Sequence, residues 1–200
     1  METRVIPNSE TVYRRERARD GLPQSGSGRT IMTAEPKFVP EEAVTVSMDG
    51  GGEFRVRLID CVGYMVEGAV GRLEGESERM VTTPWFDHEI PMPEAAEIGT
   101  RKVISEHSTI GIVITTDGTI TDIPREDYQE PEERVISELK ELGKPFVVVL
   151  NSAYPNSERA KAIQADISKR YDVTCVAANC LELGREEISG ILKRVLYEFP

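Results

Sequence analysis

The chain has 200 residues, 39% hydrophobic and 30% charged, which is enough for one ordinary globular domain with a sizeable core. Its 24 Lys and Arg against 35 Asp and Glu leave a net charge of −11, so it lacks the overall positive field that a nucleic-acid backbone or an anionic membrane surface would demand. Three cysteines without a Cys-x-x-Cys pair (Cys61, Cys175 and Cys180), an N-terminus METRVIPNSE unlike a signal peptide, and apolar runs too short to span a bilayer together lead us to expect a soluble, cytoplasmic protein whose thiols serve as small core residues.

Residues 1–20 are polar, with the charge run RRERARD and no apolar face. The stretch PQSGSGRT, Pro23 to Thr30, imitates the phosphate-binding pattern Gly-x-x-x-x-Gly-Lys-Ser/Thr but has Pro23 in place of the first Gly and Arg29 in place of the Lys. A working loop of that kind also needs a buried strand before it and a helix N-terminus after it. VYRRERARDGL is no buried strand, and Pro36 and Pro40 break whatever follows, so the stretch reads as a flexible Gly/Ser loop. AVTVSM (43–48) and EFRVRLI (53–59), joined by DGGG, predict an antiparallel hairpin; Phe54, Val56 and Leu58 alternate with Glu53, Arg55 and Arg57 as in a strand with one solvated face. Residues 64–93 then form a long stretch rich in Gly, Glu and Pro.

Beyond it the pattern alternates strictly. A helix over 93–107 leads to strand TIGIVIT (109–115), a helix over 130–142 to strand PFVVVL (145–150), a helix over 157–171 to strand VTCVAA (173–178), and a last helix covers 184–199. Continuous apolar strands between amphipathic helices predict a parallel sheet covered on both faces. Ligands of such folds sit beyond the carboxyl ends of the strands, which here carry Asp60 to Gly63, Thr115 to Gly118, Asn151-Ser152 and Ala177 to Asn179.

An apolar strand ending in Asp-x-x-Gly, LIDCVG, places Asp60 to hold Mg²⁺ directly or through water and lets the Gly63 backbone N–H approach a γ-phosphate. The same tetrapeptide also fits a strand-ending Asp followed by a turn Gly. The loop holding Thr30 and Thr33 precedes the hairpin as a GTPase-type switch loop does, where a hydroxyl completes the Mg²⁺ shell. Asn151-Ser-Ala-Tyr154 lacks the carboxylate with which Asn-Lys-x-Asp reads guanine, which favours ATP over GTP; Asn151 serves equally well as a strand-end cap. His88 and His107 have no Ser or Cys in a nucleophile elbow beside them, and Cys175/Cys180 have no neighbouring His for a metal. Trp85 is expected to anchor the long loop onto the core.

The runs LPQSGSGRTIMTAEPKFVP, RLIDCVGY, PWF, EAAEIGTRKVISEHSTIGIVITTDGTI, GKPFVVVLNS and LYEFP closely resemble the N-terminal ATPase domain of the stage IV sporulation protein A family, spore-coat morphogenetic proteins of endospore-forming bacteria. The resemblance covers about Ile6 to Pro200. It implies a P-loop NTPase of GTPase-like type, a three-layer α/β sandwich with a mostly parallel sheet and one antiparallel hairpin strand. It further implies that ATP is bound and hydrolysed with Mg²⁺, with Asp60 and Thr33 on the metal side, Gly63 at the γ-phosphate, and Thr30, Asn151 and Ser152 on the nucleotide. Hydrolysis in the family drives assembly into a polymer on the mother-cell side of the forespore surface, where a small membrane-bound amphipathic peptide and other spore coat proteins join it.

The family's first strand and phosphate-binding loop are expected upstream of the equivalent of residue 1, so residues 1–200 read as one truncated ATPase domain. Its parts are a helix remnant and switch-like loop (1–42), the hairpin and Asp-x-x-Gly (43–63), the long loop (64–93) and the alternating α/β region (94–200). Ala34 departs from the Thr-Thr of the family pattern, leaving Thr33 as the single hydroxyl. This chain alone is therefore expected to bind ATP weakly or not at all, and a non-catalytic interaction module is the rival reading. A flavodoxin-like or receiver-type domain would match the alternation but not the hairpin.

Overall fold

The computed structural model describes residues 38–47, 52–69, 73–74 and 77–198. The readings made on residues 1–37, Thr30 and Thr33 among them, lie outside the described residues. The chain divides into two compact units, Met1–Met65 with Ala69–His107, and Val66–Gly68 with Ser108–Pro200.

In the first unit, β1 (Phe38–Ser47) and β2 (Glu53–Ile59) form the expected antiparallel hairpin, paired from Phe38↔Ile59 to Ser47↔Glu53. The register slips between Val39 and Val44, where Pro40 cannot donate to the ladder and a bulge absorbs it. Phe54, Val56 and Leu58 are half-buried while Glu53, Arg55 and Arg57 face solvent, as the period of two requires. The stretch read as an irregular loop contains two short antiparallel pairs, β3 (Leu73–Glu74) with β4 (Ser77–Glu78) and β5 (Met80–Val81) with β6 (Ile90–Pro91). Two-residue strands carry no period, so no pattern announces them.

Helix α1 (Met92–Lys102) starts with a proline in its first turn, where the missing N–H costs nothing. It buries the small residues Ala95, Ala96, Gly99 and Thr100, and with Met92 and Ile98 covers Val81 and Ile90. The predicted helix runs on to His107 but changes character: Val103–His107 is a π turn, and the Ser105 hydroxyl donates to Arg101 O at 2.8 Å. Trp85 is half-buried, and Lys102 Nζ of this helix lies 5.7 Å from its ring centroid.

The second unit holds the predicted alternation from its first strand onward, the helix over 93–107 falling in the first unit. Strands β7 (Gly111–Thr116), β8 (Phe146–Asn151) and β9 (Cys175–Ala178) form a parallel sheet in the order β7-β8-β9, in register from Gly111↔Phe146 to Thr116↔Asn151 and from Val148↔Cys175 to Asn151↔Ala178. Between them lie α2 (Gln129–Glu141) and α3 (Glu158–Tyr171), and α4 (Arg185–Tyr197) follows. Central β8 is buried from Phe146 to Leu150, which is why its sequence is apolar throughout rather than alternating. One face carries Val147 and Val149 against Ile191 and Val195 of α4. Each such side chain contributes about 1.5–3 kcal/mol on burial. On the other face α2 comes close because Gly111 has no side chain: a Cβ there would lie 3.0 Å from Phe146 Cβ and 3.3 Å from both Leu139 methyls. Helix α3 runs beside β9, Gln164 Nε2 donating to Cys175 O at 2.8 Å. Its N-terminus is capped by Ser157, whose hydroxyl accepts from Ala160 N–H at 3.1 Å, worth about 1 kcal/mol.

Candidate functional site

In the first unit, Asp60 follows the last residue of β2 and is exposed, while Cys61 beneath it is half-buried. Burial pushes the Cys61 thiol up, against the opposing pull of the Gly63 backbone and the Thr100 hydroxyl. Gly63 has φ +80°, a conformation that strains any residue with a side chain, and the space where a Cβ would stand is open to 4 Å. A strand-tip carboxylate with an open glycine backbone three residues on is compatible with a Mg²⁺-bound phosphate. Mg²⁺ is held through one or two carboxylates, water and phosphate oxygens rather than an all-protein cage. Among the described residues there is no group of three or more His, Cys, Asp or Glu that could hold a metal ion.

In the second unit, three strand-end loops meet at the carboxyl edge of the sheet. Asn151 behaves as the strand-end cap: its Oδ1 accepts from Cys180 N–H at 2.9 Å and so ties β8 to the loop after β9. Ser152 is fully buried; its N–H donates to Ala178 O at 2.9 Å, and its hydroxyl donates to Asp117 Oδ2 at 2.7 Å while accepting from Tyr154 N–H at 2.9 Å. That hydroxyl thus donates across to the loop after β7 and accepts from within its own loop. Tyr154 and Leu181, on the loops after β8 and β9, are exposed.

The residue that sequence reasoning passed over is Asp117. The motif Thr115-Thr-Asp-Gly118 was legible as a strand tip, but nothing in it says that the carboxylate turns inward. Asp117 is 0% exposed, and its Oδ1 accepts from Thr119 N–H at 3.0 Å and from the Thr119 hydroxyl at 2.5 Å. Burial raises its carboxyl, but the bonds from Thr119 and Ser152 and the Arg159 charge outweigh that, so it lies below the usual carboxylate range. Gly118 has φ +85°, and a Cβ there would crowd the Arg125 backbone nitrogen at 3.1 Å. Arg125 itself is buried and ion-paired with Glu132 of α2, Nη2 to Oε1 at 2.8 Å, and reaches Thr115 Oγ1 at 3.3 Å, which fixes the far end of the same loop. His88 pairs with its exposed neighbour Asp87 at 3.0 Å, and His107 Nε2 lies 3.9 Å from Glu106 Oε2.

A parallel sheet flanked by helices, with its polar side chains gathered at the strands' carboxyl ends, defines an α/β domain, a class whose ligands sit in the crevice beyond those ends. The family model described as Stage IV sporulation protein A, ATPase domain matches residues 1–200, and the chain belongs to that family. It is 52% identical over its whole length to Stage IV sporulation protein A of Bacillus anthracis and 52% to that of Bacillus subtilis (strain 168). Identity to the protein of the same name in Clostridioides difficile (strain 630) is 50%. The chain spans 41% of the length of each of these relatives. No solved structure matches it significantly.

Proposed function

We propose that the chain is an ATP-binding and ATP-hydrolysing domain of a sporulation protein that assembles the basement layer of the spore coat. Membership of the ATPase-domain family along all 200 residues is the observation that carries this reading. Asp60 holds Mg²⁺ together with Thr33, and Gly63 offers its N–H to the γ-phosphate from a backbone conformation that keeps the approach clear. Thr30, Asn151 and Ser152 belong to the nucleotide side, the last two by holding the loops after β8 and β9 in place. Mg²⁺, when bound, neutralises developing charge on the phosphates. ATP rather than GTP is favoured by Tyr154, which stands where a guanine reader would put a carboxylate. Polymerisation on the mother-cell side of the forespore, with coat proteins and a small membrane-bound amphipathic peptide as partners, completes the reading. It is compatible with the net charge of −11 and with the described residues, which include no helix long and apolar enough to cross a membrane.

A second reading, a non-catalytic interaction module, is favoured by one observation: no stretch of the 200 residues matches Gly-x-x-x-x-Gly-Lys-Ser/Thr. Calorimetry with Mg-ATP separates the two when run on this chain and on the chain joined to an upstream segment bearing that motif. The ATPase reading expects binding to appear on joining, with ATP preferred to GTP. Absence of binding in both would leave the interaction module. Tight binding by the chain alone would contradict the need for the added loop.

A further inference from the structure

The loop that leaves β7 and the loop that leaves β8 close into a ring of hydrogen bonds with one buried carboxylate at its centre. From Asp117 Oδ2 the ring runs through the Ser152 hydroxyl to Tyr154 N–H; Tyr154 O accepts from Ser157 N–H at 3.0 Å, and Ser157 caps α3. Arg159, in the first turn of α3, returns Nη2 to Asp117 O at 3.1 Å. A second link leaves Oδ1 through the Thr119 hydroxyl, which accepts from Ala153 N–H at 2.9 Å. Each hydroxyl owns a single hydrogen. Ser152 and Thr119 both accept from the backbone of the β8 loop, and the one hydrogen each carries is directed at an Asp117 oxygen, at 2.7 and 2.5 Å. Only a group that accepts at both oxygens and donates nothing satisfies them together, and an ionised carboxylate is that group.

We propose that Asp117 is a positioning residue for the ligand crevice: its carboxylate locks residues 117–119, residues 152–154 and the first turn of α3 into one rigid unit. The exposed Tyr154 ring is thereby carried on a fixed backbone at the carboxyl rim of the sheet. The brace stands on its own geometry; that the crevice takes ATP rests on the function proposed above.

The test is NMR, with amide hydrogen exchange on the 200-residue chain and a Mg-ATP titration, for each sequence, on the chain joined upstream to the Gly-x-x-x-x-Gly-Lys-Ser/Thr segment. In Asp117→Asn one oxygen becomes a donor, so one of the two hydroxyls loses its acceptor. Exchange at Thr119, Ala153 and Tyr154 is expected to rise together by about tenfold while β8 amides keep their protection, the mark of a local rather than a global opening. Ser152→Ala removes the cross-link alone and should free Tyr154 while leaving Thr119 protected. Mg-ATP should shift amides of residues 152–156 in the unsubstituted chain and shift them less in Asp117→Asn. Unchanged exchange in Asp117→Asn, or a rise spread evenly through β8, would overturn the brace. Unaltered ATP shifts in a variant whose loops have come apart would overturn the positioning role. If Mg-ATP shifts nothing in the unsubstituted chain, the nucleotide assignment of this crevice fails and the exchange data still decide the brace.

Discussion

The carboxyl of Asp117 titrates below the ordinary range despite its burial, because Thr119, Ser152 and Arg159 favour the charged form more than burial penalises it. A folded-state value lower than the unfolded one contributes stability that is present above the unfolded value, about 3.9, and is lost as pH falls through the folded value. Urea midpoints should therefore drop below about pH 4, and the drop should be shallower in Asp117→Asn; two parallel profiles would mean that the carboxylate makes no such contribution. The thiol of Cys175 makes the opposite case. Burial first, and then the negative charge of Glu132, push it up to about 12. At pH 8 almost no thiolate exists there, so Cys175 should resist iodoacetamide in the folded chain and react once urea unfolds it. Alkylation of native Cys175 at the rate of a free cysteine would contradict its placement in the core.

Between residue and fold, the buried Arg125–Glu132 pair anchors α2 to the loop after β7. Glu132 Oε1 is bonded to the guanidinium, whereas Oε2 is buried without a hydrogen-bond partner among the described residues, so the pair is only partly satisfied. Removing one partner leaves a buried charge uncompensated, and Glu132→Gln should cost about 3–5 kcal/mol in chemical denaturation. The double replacement Arg125→Met with Glu132→Leu should recover most of that loss. A single variant as stable as the parent would show that water reaches the pair. The helices of this unit were legible in the sequence because each keeps one apolar face at helical spacing, and the strands because they are short, continuous apolar runs between those helices. Strand 109–115 becomes Gly111–Thr116, strand 145–150 becomes Phe146–Asn151, and the helix over 157–171 begins one residue later behind its Ser157 cap. The short pairs β3–β4 and β5–β6 and the π turn were not legible, since two to five residues are too few to carry a period. Nor was the inward turn of Asp117 and Ser152, because composition marks a strand tip as polar without saying which way its side chains point.

At the scale of the whole molecule, two features set what the chain can do. Its net charge of −11 argues against nucleic acid, and its family ties it to an ATPase domain shared with spore-forming relatives more than twice its length. Those long motifs made the family readable before any coordinates, while the strand-end positions of Asp60, Gly63, Asn151 and Ser152 came from the alternation of strands and helices. What the motifs did not disclose is a division of labour. Asp60 is exposed at the end of its strand, whereas Asn151 and Ser152 hold loops by hydrogen bonds. The central claim is that Asp60 serves Mg²⁺-dependent ATP hydrolysis, and it is tested most directly by phosphate release from Mg-ATP. The assay compares Asp60→Ala with the parent, both joined upstream to a Gly-x-x-x-x-Gly-Lys-Ser/Thr segment. The account expects Mg²⁺-dependent turnover in the parent and a loss of about 100-fold or more in the variant; turnover unchanged by Asp60→Ala would contradict it.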